Sequence, residues 1–175
     1  VLLLGPGKRY HLFLSHVWST GQDQCAVIKR QLQLLLPGVV IFLDVDGASP
    51  PCVPPLATPP PLAHVRTSRP VCNPIPCGRF AGHWRLGGLR ARDGRDVLFF
   101  LSKNYFISRN CLREVKATID EQLPLVLVHE QQEEKGGGPL EIMRTECNEE
   151  MRPYVFDERT PITWHRIAHY QNLTL

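Results

Sequence analysis

Glu114 is the side chain with the most evident chemical potential in this chain, because Tyr105, Ser108 and Cys111 precede it within a few residues. Its carboxylate offers electrostatic or acid–base chemistry. It also suits the first turn of a helix, where the helix dipole favours a negative charge, and the residues by themselves leave both roles open. Trp18 and Tyr105 carry rings that could stack on a planar ligand or serve as wall and core residues. Gly21 and Asp23 lie in HVWSTGQDQ, a polar loop expected after an apolar run.

Other constellations carry less. His64, Cys72, Cys77 and His83 contain one C-x₄-C pair with no second pair, among prolines that restrict the geometry a zinc site needs, so they read as unstructured. His165 and His169 stand four apart and could share a helix face, but no acidic or third ligand is nearby in sequence, so a surface or satisfied pair is the default. Asp44 and Asp46 resemble the acidic cluster of receiver domains. A receiver needs an acidic pair after the first strand and an aspartate after the third, where this chain has Ser15-His16 and Ser102-Lys103. GPGK at residues 5–8 lacks the spacing and preceding strand of a phosphate loop.

The elements that would position these residues follow from hydrophobic pattern. YHLFLSH (10–16), VVIFLDV (39–45), DVLFFLS (96–102) and PLVLVHE (124–130) are short apolar runs of the kind that form buried parallel strands, and TPITW (160–164) is a weaker fifth. Val27, Ile28, Leu32, Leu35 and Leu36 recur at helical spacing, which predicts a helix from Asp23, its cap, to the stop at Pro37-Gly38. A second helix, capped by Ser108 or Asn110, has Leu112, Val115, Ile119 and Leu123 as its predicted inner face. Gln131 to Gly138 is a polar, glycine-rich loop, and Pro139 suits the first turn of a helix running to about Met151, with a short final helix after the fifth strand. Alternating strands and helices predict an α/β fold, a flavodoxin-like parallel sheet of order 2-1-3-4-5 flanked by helices. Ligands bind such sheets outside the carboxyl ends of the strands where the order reverses, between strands one and three. The expected crevice there holds Trp18, Gly21, Asp23, Tyr105 and Glu114.

The pattern stops between Gly47 and Arg95. Ten of the sixteen prolines fall between Pro50 and Pro76, and residues 47–92 hold six arginines without a lysine or an acid. This Pro/Arg-rich irregular insert stands where a strand-helix-strand crossover needs a helix. Its composition fits translated GC-rich non-coding DNA, so a retained intron or faulty gene model is the first reading and a genuine disordered insertion the second. Either predicts that limited proteolysis cuts within residues 47–92 first.

Charge and length bound the rest. The net charge of +3 comes from that insert, since the remaining chain has 14 basic and 17 acidic residues, a net of −3. A nucleic-acid partner is therefore not expected. The opening VLLL is far short of the ~20 apolar residues that span a bilayer, so no membrane partner and a soluble, cytoplasmic protein are expected. The six cysteines are then expected to stay reduced, and the Asn172 sequon unmodified.

Two blocks resemble the Toll/interleukin-1 receptor (TIR) domain family, in its plant or algal type. YHLFLSH with STGQDQ resembles the family's opening strand and its Gly-amide-Asp stretch, with Ser15, Gly21, Gln22 and Asp23 at the marked positions. LSKNYFISRNCLREV (101–115) resembles its later signature, with Ser102, Ser108, Cys111 and Glu114 matching. The resemblance covers residues 10–46 and 96–130, and implies a single TIR-like domain over 8–175 with 47–95 departing from the pattern. It implies intracellular signal transduction of an innate-immunity-like kind through self-association with other TIR domains. For enzymatic members it implies NAD⁺ glycohydrolysis, with NAD⁺ as substrate and neither cofactor nor metal. Glu114 then falls on the catalytic glutamate, and Ser15, Trp18, Gly21, Asp23, Tyr105 and Cys111 become substrate-binding candidates. The alternative is a non-catalytic TIR interaction module, inactive because its middle is disrupted.

Overall fold

The computed structural model describes residues 2–43 and 91–171. Five strands form one parallel sheet in the order 2-1-3-4-5, as the alternation predicts. They are β1 (Tyr10–Ser15), β2 (Ile41–Leu43), β3 (Gly94–Leu101), β4 (Leu125–His129) and β5 (Ile162–Thr163). Helix α1 spans Trp18–Leu35, α2 Arg109–Asp120, α3 Leu140–Glu146 and α4 Ala168–Gln171. The central pair is β1 beside β3, with Phe13 opposite Val97 and Ser15 opposite Phe99.

Side chains alternate across the strands and so divide the core in two. Phe13, Val97, Phe99 and Leu101 point to one face, where they pack with Tyr105, Cys111 and Val115. Leu14, Leu98 and Phe100 point to the other, against Cys25 and Ile28 of α1 and Trp164. Phe99 and Phe100 are both completely buried, one on each face, and each such side chain contributes about 2–3 kcal/mol of hydrophobic free energy.

Several boundaries differ from the expectations. Helix α1 begins at Trp18, five residues before the predicted cap, so Asp23 lies inside the helix and STGQDQ is its first turns instead of a loop. The N-cap is Val17, which has no side-chain cap; the start is set by the short step from β1, with the Gly21 N–H donating to the Val17 carbonyl at 2.8 Å. Pro139 is the N-cap of α3, which ends at Glu146 because Cys147 is extended, well before Met151. The chain then makes one π-helical turn, Pro153–Asp157. At the edge of the irregular segment, residues 91–95 are regular. Ala91 is buried in the core and β3 starts at Gly94, where an added Cβ would lie 3.2 Å from that of Phe13. The rest of that segment, with Asp44, Asp46, His64, Cys72, Cys77 and His83, lies outside the described residues, as does Asn172. No described helix is long and apolar enough to cross a membrane.

Candidate functional site

Strand β1 ends at Ser15, whose side chain shares the face of Phe13 because it stands two residues on. Opposite it, β3 runs out at Leu101, and the chain turns through Asn104, which adopts a left-handed conformation with φ of 68°. Asparagine tolerates that region better than most side chains. The Tyr105 N–H donates to the Ser102 carbonyl at 3.1 Å, and the Ser108 N–H to that of Asn104 at 3.0 Å. This turn sends Tyr105 back under the end of the sheet, between Phe99 and Phe106 at ring separations of 5.6 and 5.0 Å. Ser108 then caps α2, its hydroxyl accepting from the Cys111 N–H at 3.5 Å.

The buried stripe of α2 is Cys111, Glu114, Val115 and Thr118, at i, i+3, i+4 and i+7. It therefore differs from the predicted inner face: Leu112 and Ile119 flank it, half-buried, and Leu123 packs beyond the helix. Glu114 is carried inward at the carboxyl end of the sheet. Ser15 Oγ donates to Glu114 Oε2 at 2.5 Å, and the same Ser15 Oγ lies 2.5 Å from the Tyr105 hydroxyl. Exposure of Ser15, Tyr105, Cys111 and Glu114 is 1, 0, 0 and 5%, so the group is a closed, buried polar cluster.

Cys111 has a structural bond of its own, its Sγ donating to the His16 carbonyl at 3.4 Å. Burial first, and the Glu114 carboxylate second, push its thiol up from 9.0 to about 12, which leaves it protonated and a poor nucleophile at neutral pH. Burial likewise raises the Tyr105 phenol well above its ordinary value, with Cys111 and Glu114 adding to the shift, so the hydroxyl keeps its proton.

The other three residues singled out from sequence belong to α1. Gly21 lies on the opposite face of the sheet, where an added Cβ would meet Phe100 Cδ1 at 3.0 Å. Trp18 opens α1 with half its surface exposed, and Asp23 projects from the same helix into solvent. The 18–23 stretch forms the first turns of α1, not a loop.

Sequence reasoning missed Glu130 and Arg166. Glu130, completely buried after β4, accepts from Arg166 Nε at 2.8 Å and, through its other oxygen, from the Gln132 N–H at 2.9 Å. An acid closing the apolar run PLVLVHE was the available signal. A groove of about 500 Å³ lies at the carboxyl ends of β4 and β5, between His129, Gln131, Arg144 and Thr163. It contains none of the seven residues drawn from sequence; the cluster of Ser15, Tyr105, Cys111 and Glu114 lies instead at the switch point between β1 and β3.

No family model matches the sequence, and no curated protein matches it. Among solved structures, the chain is similar to the TIR domain of the Toll-related receptor TRR-2 from Hydra magnipapillata, at 10% identity and a TM-score of 0.49 over 95% of this chain and 92% of that one. It is also similar to the TIR domains of the activated Roq1 resistosome that recognises the pathogen effector XopQ, at 17% identity and a TM-score of 0.42 over 86% of this chain and 70% of that one. The fold assignment rests on the sheet order and register of the chain itself.

Proposed function

We propose that this chain is a TIR-type signalling domain, acting through self-association, whose Glu114 cleaves NAD⁺ between nicotinamide and ribose. The observation that carries the reading is the position of the carboxylate: at the switch point of a 2-1-3-4-5 sheet, held toward the end of β1 by the Ser15 hydroxyl at 2.5 Å. In the reaction the bond between ribose C1′ and the pyridinium nitrogen breaks heterolytically. The electron pair leaves with nicotinamide, which becomes neutral, and the positive charge passes to C1′ and the ring oxygen. Water adds at C1′ and gives up a proton. A fixed carboxylate stabilises that transient cation and can hold the ribose hydroxyls, as carboxylates do in glycoside cleavage. With Glu114 only 5% exposed, the ribose reaches it only after its surroundings yield, and assembly acts at that step.

The same burial favours a second reading, in which Glu114 is a structural acid and the domain binds other TIR domains without catalysis. Nicotinamide release by the purified chain at high concentration, or on an assembly scaffold, separates the two. The catalytic reading expects release by the parent, none by Glu114→Gln, and parental release by Asp120→Asn. That control sits on the same helix with its side chain 46% exposed, 3.9 Å from Arg92. Equal release by parent and Glu114→Gln, or none by the assembled parent, leaves the interaction module standing.

A further inference from the structure

We infer that Tyr105 and Ser15 are positioning residues, forming a one-way hydroxyl relay that fixes the Glu114 carboxylate and reports its charge to the buried phenol. As a statement about catalysis the inference rests on the reading of Glu114 above; as a statement about the relay it does not.

Proton counting sets the direction. Ser15 has one hydroxyl proton, and it is donated to Glu114 Oε2 at 2.5 Å. The 2.5 Å contact between Ser15 Oγ and the Tyr105 hydroxyl must then run the other way, with tyrosine donating and serine accepting. A carboxylate only accepts, so the chain terminates at Glu114. Both hydroxyls are removed from water, Tyr105 fully and Ser15 to 1%, so neither has solvent as a substitute partner. The first donor keeps its proton because burial holds the phenol in its neutral form.

Packing makes the relay rigid. Tyr105 is held between Phe99 and Phe106, Ser15 by its place in the central strand, and Glu114 by the helix that Ser108 caps. Further along α2, Thr118 Oγ1 donates to the Glu114 carbonyl at 2.8 Å. Hydrogen bonds in such a chain polarise one another, so the charge at Glu114 strengthens the Tyr105 bond without touching it. This accounts for two residues first considered as substrate contacts: neither has surface to offer a ligand, and both act through the glutamate.

The test uses the full chain labelled at tyrosine ¹³Cζ, whose chemical shift follows the hydrogen bonding of the phenol. Of the chain's four tyrosines, the Tyr105 signal is the one that Tyr105→Phe removes. The relay predicts that Glu114→Gln moves that signal, that Ser15→Ala moves it further, and that the other tyrosine signals stay in place. In assembled protein that releases nicotinamide, Tyr105→Phe should lower kcat by roughly ten- to a hundredfold with KM unchanged, because the carboxylate is loosened and not lost. Ser15→Thr, which keeps the hydroxyl, should restore more of the rate than Ser15→Ala. Tyr105→Phe is nearly isosteric, so it remains informative if Ser15→Ala fails to fold. A Tyr105 signal indifferent to Glu114→Gln overturns the relay whatever the activity. A signal that moves in a protein releasing no nicotinamide keeps the relay and removes the catalytic reading. Full kcat in Tyr105→Phe alongside a dead Glu114→Gln overturns the positioning role.

Discussion

Arg166 joins three stretches of chain through one side chain. Its Nε reaches the buried Glu130 at 2.8 Å and its Nη2 donates to the Lys135 carbonyl at 3.0 Å. Turning the Gln24 amide by 180° lets its oxygen accept from the guanidinium at 3.0 Å. Removing the cation strands a carboxylate that water cannot reach, so Arg166→Ala should cost about 3 kcal/mol in urea unfolding. Asp120→Asn, which loses only an exposed pair, should cost less than about 0.5 kcal/mol in the same experiment. The cysteines make a second expectation at this scale. The described cysteines, Cys25, Cys111 and Cys147, are all free and buried. Burial is the main cause that raises Cys147 to about 11, Cys111 to about 12 and Cys25 further. The folded state thus holds these thiol protons more tightly than the unfolded chain, which loses them near 9.0. That stabilisation is complete below pH ~9 and disappears as pH rises through the folded values. Cys25, Cys111 and Cys147 should therefore resist iodoacetamide at pH 8 until the protein unfolds, and its unfolding midpoint should decline above pH ~9. Rapid native labelling of Cys111 would contradict this.

Among the elements, the glycine-rich connection after β4 is the most constrained. Gly136 takes φ of 84°, and an added Cβ there would fall 2.8 Å from Thr20 Cβ of α1. At Gly137 an added Cβ would fall 2.4 Å from the Glu130 carbonyl oxygen and 2.8 Å from Gln132 N, backbone atoms that cannot turn aside. At Gly138 it would meet only Met143 Cε at 3.7 Å, an ordinary contact. Gly137→Ala should therefore lower stability by about 2 kcal/mol or more while Gly138→Ala stays close to the parent, as thermal unfolding would report. The strands around this loop were legible in sequence because buried parallel strands are continuous apolar runs. The start of α1 was not, since Asp23 offers a good cap and nothing local announces that the chain enters a helix straight from β1. In α2 the Leu112-Val115-Ile119 spacing competes with Cys111-Glu114-Val115-Thr118, and apolarity alone favours the wrong stripe. The polar stripe wins because Ser15 supplies Glu114 with a buried donor, a partner 99 residues away that local pattern does not reveal.

Across the whole molecule, the sheet order brings together what the chain keeps apart. Ser15 ends β1 and Glu114 belongs to the helix after β3; they meet because β1 and β3 are neighbours at the centre of a 2-1-3-4-5 sheet. Of the residues that the order placed in one crevice, Tyr105 and Glu114 come together, joined by Ser15 and Cys111, which only the family resemblance had marked. Gly21 faces Phe100 in the layer of α1, and Trp18 and Asp23 are exposed on the same helix. In the proposed reaction the Glu114 charge acts on the ribosyl cation and contributes little to holding NAD⁺. The most direct measurement pairs NAD⁺ binding by titration calorimetry with nicotinamide release, on assembled parent and assembled Glu114→Gln. The account predicts that the variant keeps the fold and binds NAD⁺ within a few-fold of the parent while releasing no nicotinamide. Nicotinamide released by Glu114→Gln at the parental rate would contradict it.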